Sequence, residues 1–250
     1  MESYTLNIIL FILAATAIAD VPLFTDAAAY NAGELGITPN QTFRSSNIIA
    51  PVFLVNTFDV DAIDDTPYFF IDWSYEGVSS PMIFRTDDLS LVYADQESKY
   101  PSVSDVRVQT IRGEDYLTFW EGIPEQYHGN GHGLVFDAEY KLKYDITPVG
   151  LTSGRLADEH EFQFTSEGNA IIIVYESIPW DFTNVGGPPD GLVLDQLFQE
   201  INPETGELIF SWRASDHFDM DDSYATYPED LVEGGFDYFH MNSVAKVWNP

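Results

Sequence analysis

Residues 103–120 read VSDVRVQTIRGEDYLTFW and carry the clearest indication of the fold. Apolar and polar side chains alternate across residues 103–110, which is the period of a β-strand with one buried face. The turn-forming sequence RGED follows at residues 112–115, and residues 116–120 form a second run of strand-favouring side chains. Two such runs joined by a short connection that contains glycine predict an antiparallel hairpin.

The same rhythm continues on both sides of this hairpin. Further apolar or alternating runs lie at residues 48–55, 68–73, 81–84, 91–94, 133–136, 141–145, 161–164, 170–175, 191–195, 197–201 and 208–212. Most are separated by Asp, Glu, Asn, Pro or Gly, which favour turns. Only residues 221–233 suggest a short helix. Many short strands at close spacing predict an all-β sandwich, barrel or propeller.

Composition excludes several classes of function. Aromatic residues make up 15% of the chain, which suits strands, and there are 41 acidic against 10 basic residues. The resulting formal charge of −31 repels phosphate backbones and anionic membrane surfaces, so no nucleic-acid partner is expected. It suits either a highly soluble protein or an acidic extracellular setting. The absence of cysteine excludes disulfides, thiol catalysis and cysteine-ligated zinc.

The amino terminus predicts a secreted protein. Residues 6–19 read LNIILFILAATAIA, which is short for a membrane span and ends in an A-x-A cleavage pattern. A signal peptide over residues 1–19 is therefore expected, with an uncleaved anchor as the alternative, since no basic residue precedes the run. After cleavage we expect no stable membrane association. Residues 20–47 are expected to form an N-terminal extension, in which Asn40 begins an N-glycosylation sequon.

Six motifs in the second half of the chain occur in a familiar order. They are GHGL at residues 131–134, DEHEF at 158–162, FQEI at 198–201, IFSW at 209–212, SDH at 215–217 and DYFHMNSV at 237–244. Together they resemble the fungal branch of the arylsulfotransferase (ASST) family. The resemblance implies that residues 48–250 form a β-propeller domain, and at roughly 40–50 residues per blade this length gives about four to five blades.

The resemblance also implies an activity. Members of the family move a sulfuryl group from a phenolic sulfate ester to a phenolic acceptor without a nucleotide donor. In bacterial relatives a histidine is the transient nucleophile, and further histidines and an arginine surround the sulfate. A neutral imidazole can attack sulfur and hold the group as a labile adduct, while protonated imidazoles can donate to the sulfate oxygens or the leaving phenolate. Neither a metal nor an organic cofactor is indicated.

Five residues are the candidates for this chemistry. His240 and His160 are expected to be catalytic, His160 because Asp158 or Glu161 lies close enough in sequence to orient its ring. His240 is expected on a strand, where residues two apart share a face, so that Asn242 would join it in binding substrate. The other expected substrate-binding residues are Arg213 and His132.

Each candidate also has a structural interpretation. The two catalytic candidates are also compatible with buried histidines satisfied by the backbone, and Arg213 is equally compatible with a structural salt bridge. His132 stands between two glycines, and the interpretation as a loop residue that shapes a turn is favoured over a role at a pocket. His217 is expected in a solvated acidic loop and His128 on the surface.

Where the sequence ends bears on activity. In the family, the position of Pro250 falls inside a blade, with further histidine motifs beyond it, one of which is expected to hold the nucleophile. We therefore expect a chain truncated at its C-terminus, and one that has little activity by itself. The alternative function is a secreted, non-catalytic propeller that binds glycans or aromatic small molecules. Convergence of His160, His240 and Arg213 on one funnel would favour the enzyme.

Overall fold

The computed structural model describes residues 27–63 and 65–247. The predicted signal peptide, residues 1–19, lies outside the described residues. The described part contains one α-helix, α1 (Ala27–Asn31), and four short 3₁₀ helices, and none of them is long and apolar enough to cross a membrane. The strands are β1 (Asn40–Thr42), β2 (Ile49–Pro51), β3 (Tyr68–Tyr75), β4 (Val78–Arg85), β5 (Leu91–Ala94), β6 (Val103–Ile111), β7 (Glu114–Pro124), β8 (Gly129–Phe136), β9 (Leu142–Ile146), β10 (Phe162–Phe164), β11 (Ala170–Trp180), β12 (Gly191–Ile201), β13 (Leu208–Arg213), β14 (Leu231–Val232) and β15 (Gly235–Asp237).

The chain is all-β, as the strand rhythm predicts. After the small β1–β2 pair, consecutive strands form three antiparallel sheets in chain order: β3-β4-β5, then β6-β7-β8-β9, then β10-β11-β12-β13. The third sheet is extended by β15, which runs parallel to β12, and by β14 beyond it. These sheets are called the first, second and third sheet below.

The three sheets pack face to face, with the second in the middle. On one face of the second sheet, Trp120 and Val135 join Ile172 of the third sheet in a shared core. On the other face, Phe119 and Leu134 pack in a core that contains Ile83 of the first sheet. Neighbouring residues of a strand point to opposite faces, so residues 116–120 of β7 and 133–136 of β8 are buried on both faces of the second sheet.

The structure differs from the sequence-based expectations in two places. The runs at residues 191–195 and 197–201 form the single strand β12, because Gln196 between them is fully buried rather than placed in a turn. The helix suggested for residues 221–233 is wrong: a 3₁₀ turn at Met220–Asp222 precedes irregular chain, and β14 begins at Leu231. Pro228 lies in the middle of that segment and lacks the N–H that a helix interior requires.

The N-terminal extension is partly described. Asn40 lies in β1, which pairs with β2, so it is at the start of a short strand rather than in a loop. Its side chain is exposed, and its Nδ2 atom donates to the carbonyl of Thr38 at 3.0 Å. Exposure of the acceptor asparagine is the structural requirement for N-glycosylation, which stays a prediction.

Candidate functional site

Two histidines and a tyrosine meet on one face of the third sheet. The rings of His160 and His240 are 5.5 Å apart, centroid to centroid, and stand nearly perpendicular to each other. Both lie beside Tyr175 of β11, at 6.2 and 6.0 Å. The hydroxyl of Tyr175 donates to the carbonyl of Met241 at 2.9 Å, and this bond holds the chain that carries His240 against the sheet. The two catalytic candidates therefore come together.

The backbone places His160 through its connection to two sheets. Ala157 exchanges two hydrogen bonds of 2.8 Å with Gly131 of β8, and the N–H of Asp158 donates to Ile173 of β11. A side chain on Gly131 would overlap the carbonyl of Glu121, so only glycine lets the strands approach this closely. These bonds fix the start of the DEHEF motif between the second and third sheets.

Asp158 orients the ring of His160, as the sequence suggested. Its carboxylate is fully buried and accepts from the Nδ1–H of His160 at 2.7 Å and from the backbone N–H of the same residue at 2.9 Å. The other carboxylate oxygen accepts from the N–H of Gly129 at 2.6 Å. The hydrogen bond to Asp158 raises the pKa of His160 above its ordinary value, against the opposing effect of burial.

This raised pKa predicts how His160 affects stability across pH. A histidine whose pKa is higher in the folded state adds most stability below its unfolded pKa, and the contribution is lost as pH rises through the folded pKa. We therefore expect His160→Gln to destabilise the protein more at pH 5.5 than at pH 9. Urea unfolding of both proteins at the two pH values measures the difference.

His217→Gln is the matched control for that measurement. The ring of His217 stacks on Trp212 at 4.9 Å, in an exposed position, as expected for a solvated loop. Its replacement removes an imidazole that bonds no carboxylate in the described part of the chain, so it controls for the loss of an imidazole as such. A His160→Gln effect that stayed constant with pH would contradict the coupling between His160 and Asp158.

His240 is held in a different way from the one predicted. Strand β15 ends at Asp237, and residues 238–247 have no regular structure, so the expected strand through His240 is wrong. His240 itself has a left-handed backbone, with φ of 52°, which turns the chain and places its ring back over Asp237. Asn242 is exposed, and no hydrogen bond of its side chain occurs among the described residues.

A carboxylate also orients the ring of His240. The Nδ1 atom of His240 lies 2.5 Å from one carboxylate oxygen of Asp237, and Nε2 of Gln196 donates to the other oxygen at 2.9 Å. Gln196 lies opposite Tyr175 across the β11–β12 pair, and Asp237 lies beside Leu194 across the β12–β15 pair. Three strands thus fix the position of one imidazole.

The arrangement leaves one reactive nitrogen free on each ring. With Nδ1 committed to a carboxylate, the Nε2 atoms of His160 and His240 have no hydrogen-bond partner among residues 27–63 and 65–247. The two side chains retain 25% and 37% of their accessible surface, so a substrate can reach them. A neutral imidazole of this kind is a nucleophile or base, and its protonated form is an acid.

His128 is part of the same cluster, and its predicted surface position is wrong. Its side chain is 1% exposed and stacks on Tyr175 at 5.3 Å, on the side away from solvent. Its Nε2 atom lies 2.8 Å from Glu125, which in turn accepts two hydrogen bonds, at 2.9 and 3.0 Å, from Arg155. Arg155 also donates to the carbonyl of Tyr175, so Arg155 and Glu125 hold His128 in place against Tyr175.

Arg213 lies on the opposite face of the third sheet. It bonds Asp195 at 2.7 Å and Glu176 at 2.5 Å. Glu176 follows Tyr175 in β11, and Asp195 precedes Gln196 in β12. Successive residues of a strand alternate between the two faces of a sheet. Tyr175 and Gln196 therefore face the histidines, while Arg213 faces away from them. The structure brings His160 and His240 together but does not bring Arg213 to them.

His132 is also separate from the pair. It lies within β8 and not in a loop, and its Nδ1 atom is 2.7 Å from Asp145 of β9. It alternates with Gly131 and Gly133, which face the third sheet, and shares the face of Leu134, which packs toward the first sheet. The expected binding role of His132 has no support from its position.

Comparison with known proteins identifies the family. The family model described as arylsulfotransferase (ASST) matches residues 107–249, which is more than half of the chain. The chain belongs to the arylsulfotransferase family. The matched range contains β7 to β15 and both histidines of the pair. No curated protein and no solved structure matches the chain significantly.

Three residues of the cluster were missed by sequence reasoning. Tyr175 and Gln196 lie inside apolar strand sequence, where nothing distinguishes them from core residues. Asp237 stands three residues before His240, a spacing that would bring it close only around a turn. In an acidic chain such a carboxylate has no distinctive sequence signal, whereas Asp158 belongs to the DEHEF motif and lies two residues before its histidine.

Proposed function

We propose that this chain transfers a sulfuryl group from a phenolic sulfate ester to a phenolic acceptor through His240 and His160. The observation that carries the proposal is the pair of imidazoles 5.5 Å apart, each with Nδ1 bound to a carboxylate and Nε2 open. Membership of the arylsulfotransferase family supports phenolic substrates in general. That the chain belongs to the fungal branch of the family is part of the same proposal.

The two histidines take complementary roles in the proposed reaction. Nε2 of the more exposed His240 attacks sulfur, the bond from sulfur to the aryl oxygen breaks, and protonated His160 gives its proton to the leaving phenolate. The acceptor phenol then loses its proton to His160, and its oxygen attacks the sulfur of the His240 adduct. The bond between nitrogen and sulfur breaks, and both rings return to their starting states. The raised pKa of His160 suits it to the acid role.

The carboxylates serve this chemistry by charge and by orientation. Asp237 faces the ring that becomes cationic when its Nε2 carries the sulfuryl group, and an opposite charge at hydrogen-bond distance stabilises that state. Asp158 does the same for the imidazolium of His160. Asn242 is exposed two residues beyond His240, and we assign its amide as a donor to the sulfate oxygens.

The arrangement of sheets supports a propeller as part of the proposal. The second sheet and the first four strands of the third are four-stranded antiparallel meanders that follow each other along the chain and pack face to face. This is the arrangement of adjacent propeller blades. Secretion and glycosylation at exposed Asn40 remain part of the same proposal, supported by the leader-like sequence.

Turnover of a phenyl sulfate donor with a phenol acceptor tests the function. We expect wild-type protein to form the new sulfate ester and the double variant His160→Gln/His240→Gln to form none above background. The control is His132→Gln, which replaces an imidazole outside the pair and should keep near wild-type turnover. Absence of transfer by the wild type would contradict the proposal for this chain and agree with the expectation of an inactive one.

A second candidate function has one observation in its favour. A cleft of about 290 Å³ lies between the first and second sheets, lined by Tyr68, Tyr116, Tyr140 and aliphatic side chains. Such a surface suits the flat face of a sugar or an aromatic ring, as in a non-catalytic binding protein. It is remote from the histidine pair, so a ligand that bound there would bind equally to the double variant.

A further inference from the structure

An open cleft of about 570 Å³ lies directly beside His240. One wall is the connection between β7 and β8, with Gln126 and Tyr127; the other is formed by residues 224–232. The N–H of Glu233 donates to Oε1 of Gln126 at 3.3 Å and links the two walls. His240 and Asp237 line the cleft as well, so a molecule bound there reaches the proposed nucleophile.

The mouth of the cleft is aromatic. Tyr127 is 63% exposed and Tyr224 is fully exposed, and both line the cleft together with Leu231, which is 44% exposed. Tyr127 has a left-handed backbone, with φ of 64°, an uncommon conformation for a bulky side chain. Exposed rings on both walls provide faces on which the ring of a phenol can stack.

The charge of the cleft has one sign. The carboxylates of Glu229 and Asp230 line it, and both residues are exposed. No lysine or arginine lines it within the described part of the chain. The formal net charge of −31 adds to the field at longer range. A phenolic acceptor with a negatively charged side chain would be repelled here, and one with a positively charged side chain would be attracted.

We propose that this cleft selects phenolic acceptors that carry a cationic amine. The phenol oxygen meets the sulfuryl group at His240, the ring lies between Tyr127 and Tyr224, and the ammonium group faces Glu229 and Asp230. The inference rests on the proposed function and names the acceptor class for it. The amine does not react: the phenol proton passes to His160, the bond from oxygen to sulfur forms, and the bond from nitrogen to sulfur breaks.

Two acceptors of matched size test the selection. Tyramine and 3-(4-hydroxyphenyl)propionate share the phenol and a short side chain, but at pH 7 one is a cation and the other an anion. With two carboxylates within reach, we expect kcat/KM at low salt to be at least about tenfold higher for tyramine. The preference should fall severalfold in 0.5 M NaCl, since salt screens exposed charges.

A substitution in the cleft separates this effect from the net charge of the protein. Glu229→Gln should lower the preference for tyramine about threefold, because one charge facing the ammonium group is removed. The control, Glu139→Gln, removes an exposed carboxylate in the turn after β8, at the far end of that strand from the cleft. It should leave the preference unchanged.

Binding measurements keep the inference testable when no transfer occurs. Calorimetric titration of the two phenols, without a donor, should show tighter binding of tyramine and a weaker preference in Glu229→Gln. This result without turnover would sink the proposed function and sustain the selection of cationic phenols. Equal binding and equal kcat/KM of the two acceptors, or an unchanged preference in Glu229→Gln, would overturn the inference whatever the turnover.

Discussion

Arg213→Met is expected to lower the free energy of unfolding by about 3 kcal/mol, the order expected when one partner of a buried ion pair is removed. The reason is what the substitution leaves behind. Asp195 is fully buried and Glu176 has 9% of its side-chain surface exposed, and Arg213 bonds both. Without the guanidinium, two carboxylates remain close together with no cation to balance them.

The contact between Arg213 and Glu176 also lowers the pKa of Glu176, and this makes the stability of the protein depend on pH. Burial alone would raise the pKa of Glu176, but hydrogen bonds from Ser153 and Arg213 and the charge of Arg213 outweigh it and lower the pKa. A lowered carboxylate pKa adds stability above the unfolded value of about 4.3, and the contribution is lost as pH falls through the folded value. The gap between wild type and Arg213→Met should therefore narrow below about pH 4.

Urea unfolding at pH 7 measures the effect, with Arg85→Met as the control. Arg85 pairs with Asp87 where both side chains are nearly half exposed, so its loss should lower the free energy of unfolding far less than the loss of Arg213. Adding Glu176→Gln to Arg213→Met should recover part of the stability by removing one unpaired charge. Unchanged stability, combined with a raised KM for the sulfate donor, would return Arg213 to a substrate-binding role.

The strands could be predicted from sequence because their signal is local. Alternation across residues 103–110 and the RGED turn specify a hairpin without reference to the rest of the chain, and β6 and β7 form it. Local reasoning fails at Gln196, where a polar residue between two apolar runs predicts a boundary between strands. Its side chain is buried and pairs with Asp237, which is 41 residues away and was not visible as its partner.

The histidine pair was predictable only in part for the same reason. The carboxylate that binds His160 belongs to Asp158, only two residues away, so the sequence suggests this contact. The partner of His240 is also near in sequence, but it reaches the ring because the backbone turns left-handed at His240, and the expected strand would have prevented that contact. The face of the sheet to which Arg213 points depends on the register between β12 and β13, and no local sequence pattern predicts that register.

Asp237→Asn is expected to lower kcat for sulfuryl transfer by about 10³- to 10⁴-fold, since replacing the carboxylate behind a catalytic histidine by an amide lowers kcat by about 10⁴-fold in a serine protease. The substitution removes the negative charge that faces the His240 adduct. It also disturbs the hydrogen bonds. Nε2 of Gln196 requires an oxygen from residue 237, so the new NH₂ group turns toward Nδ1 of His240. Nδ1 must then accept, which places the ring proton on Nε2 and removes the lone pair that attacks sulfur.

The alternative orientation of the asparagine does not restore the site. If its oxygen faces His240, its NH₂ group faces the NH₂ group of Gln196, unless Gln196 also turns its amide. Gln196 is fully buried, and its Oε1 atom has no hydrogen-bond partner in the described structure, so turning would leave the Nε2 donor buried and unpaired instead. In neither orientation does the ring regain a charged partner.

Steady-state kinetics with a phenyl sulfate donor distinguish positioning from structural damage. Asp237 acts through His240 and is not expected to touch the substrate, so KM for the donor should stay within about threefold while kcat falls. Asp145→Asn is the matched control, because Asp145 makes the same kind of contact with His132, outside the pair. It should leave kcat near the wild-type value. If Asp237→Asn kept kcat within about fivefold of the wild type, a difference of only about 1 kcal/mol, His240 would not depend on its carboxylate and its role as nucleophile would lose its main physical support.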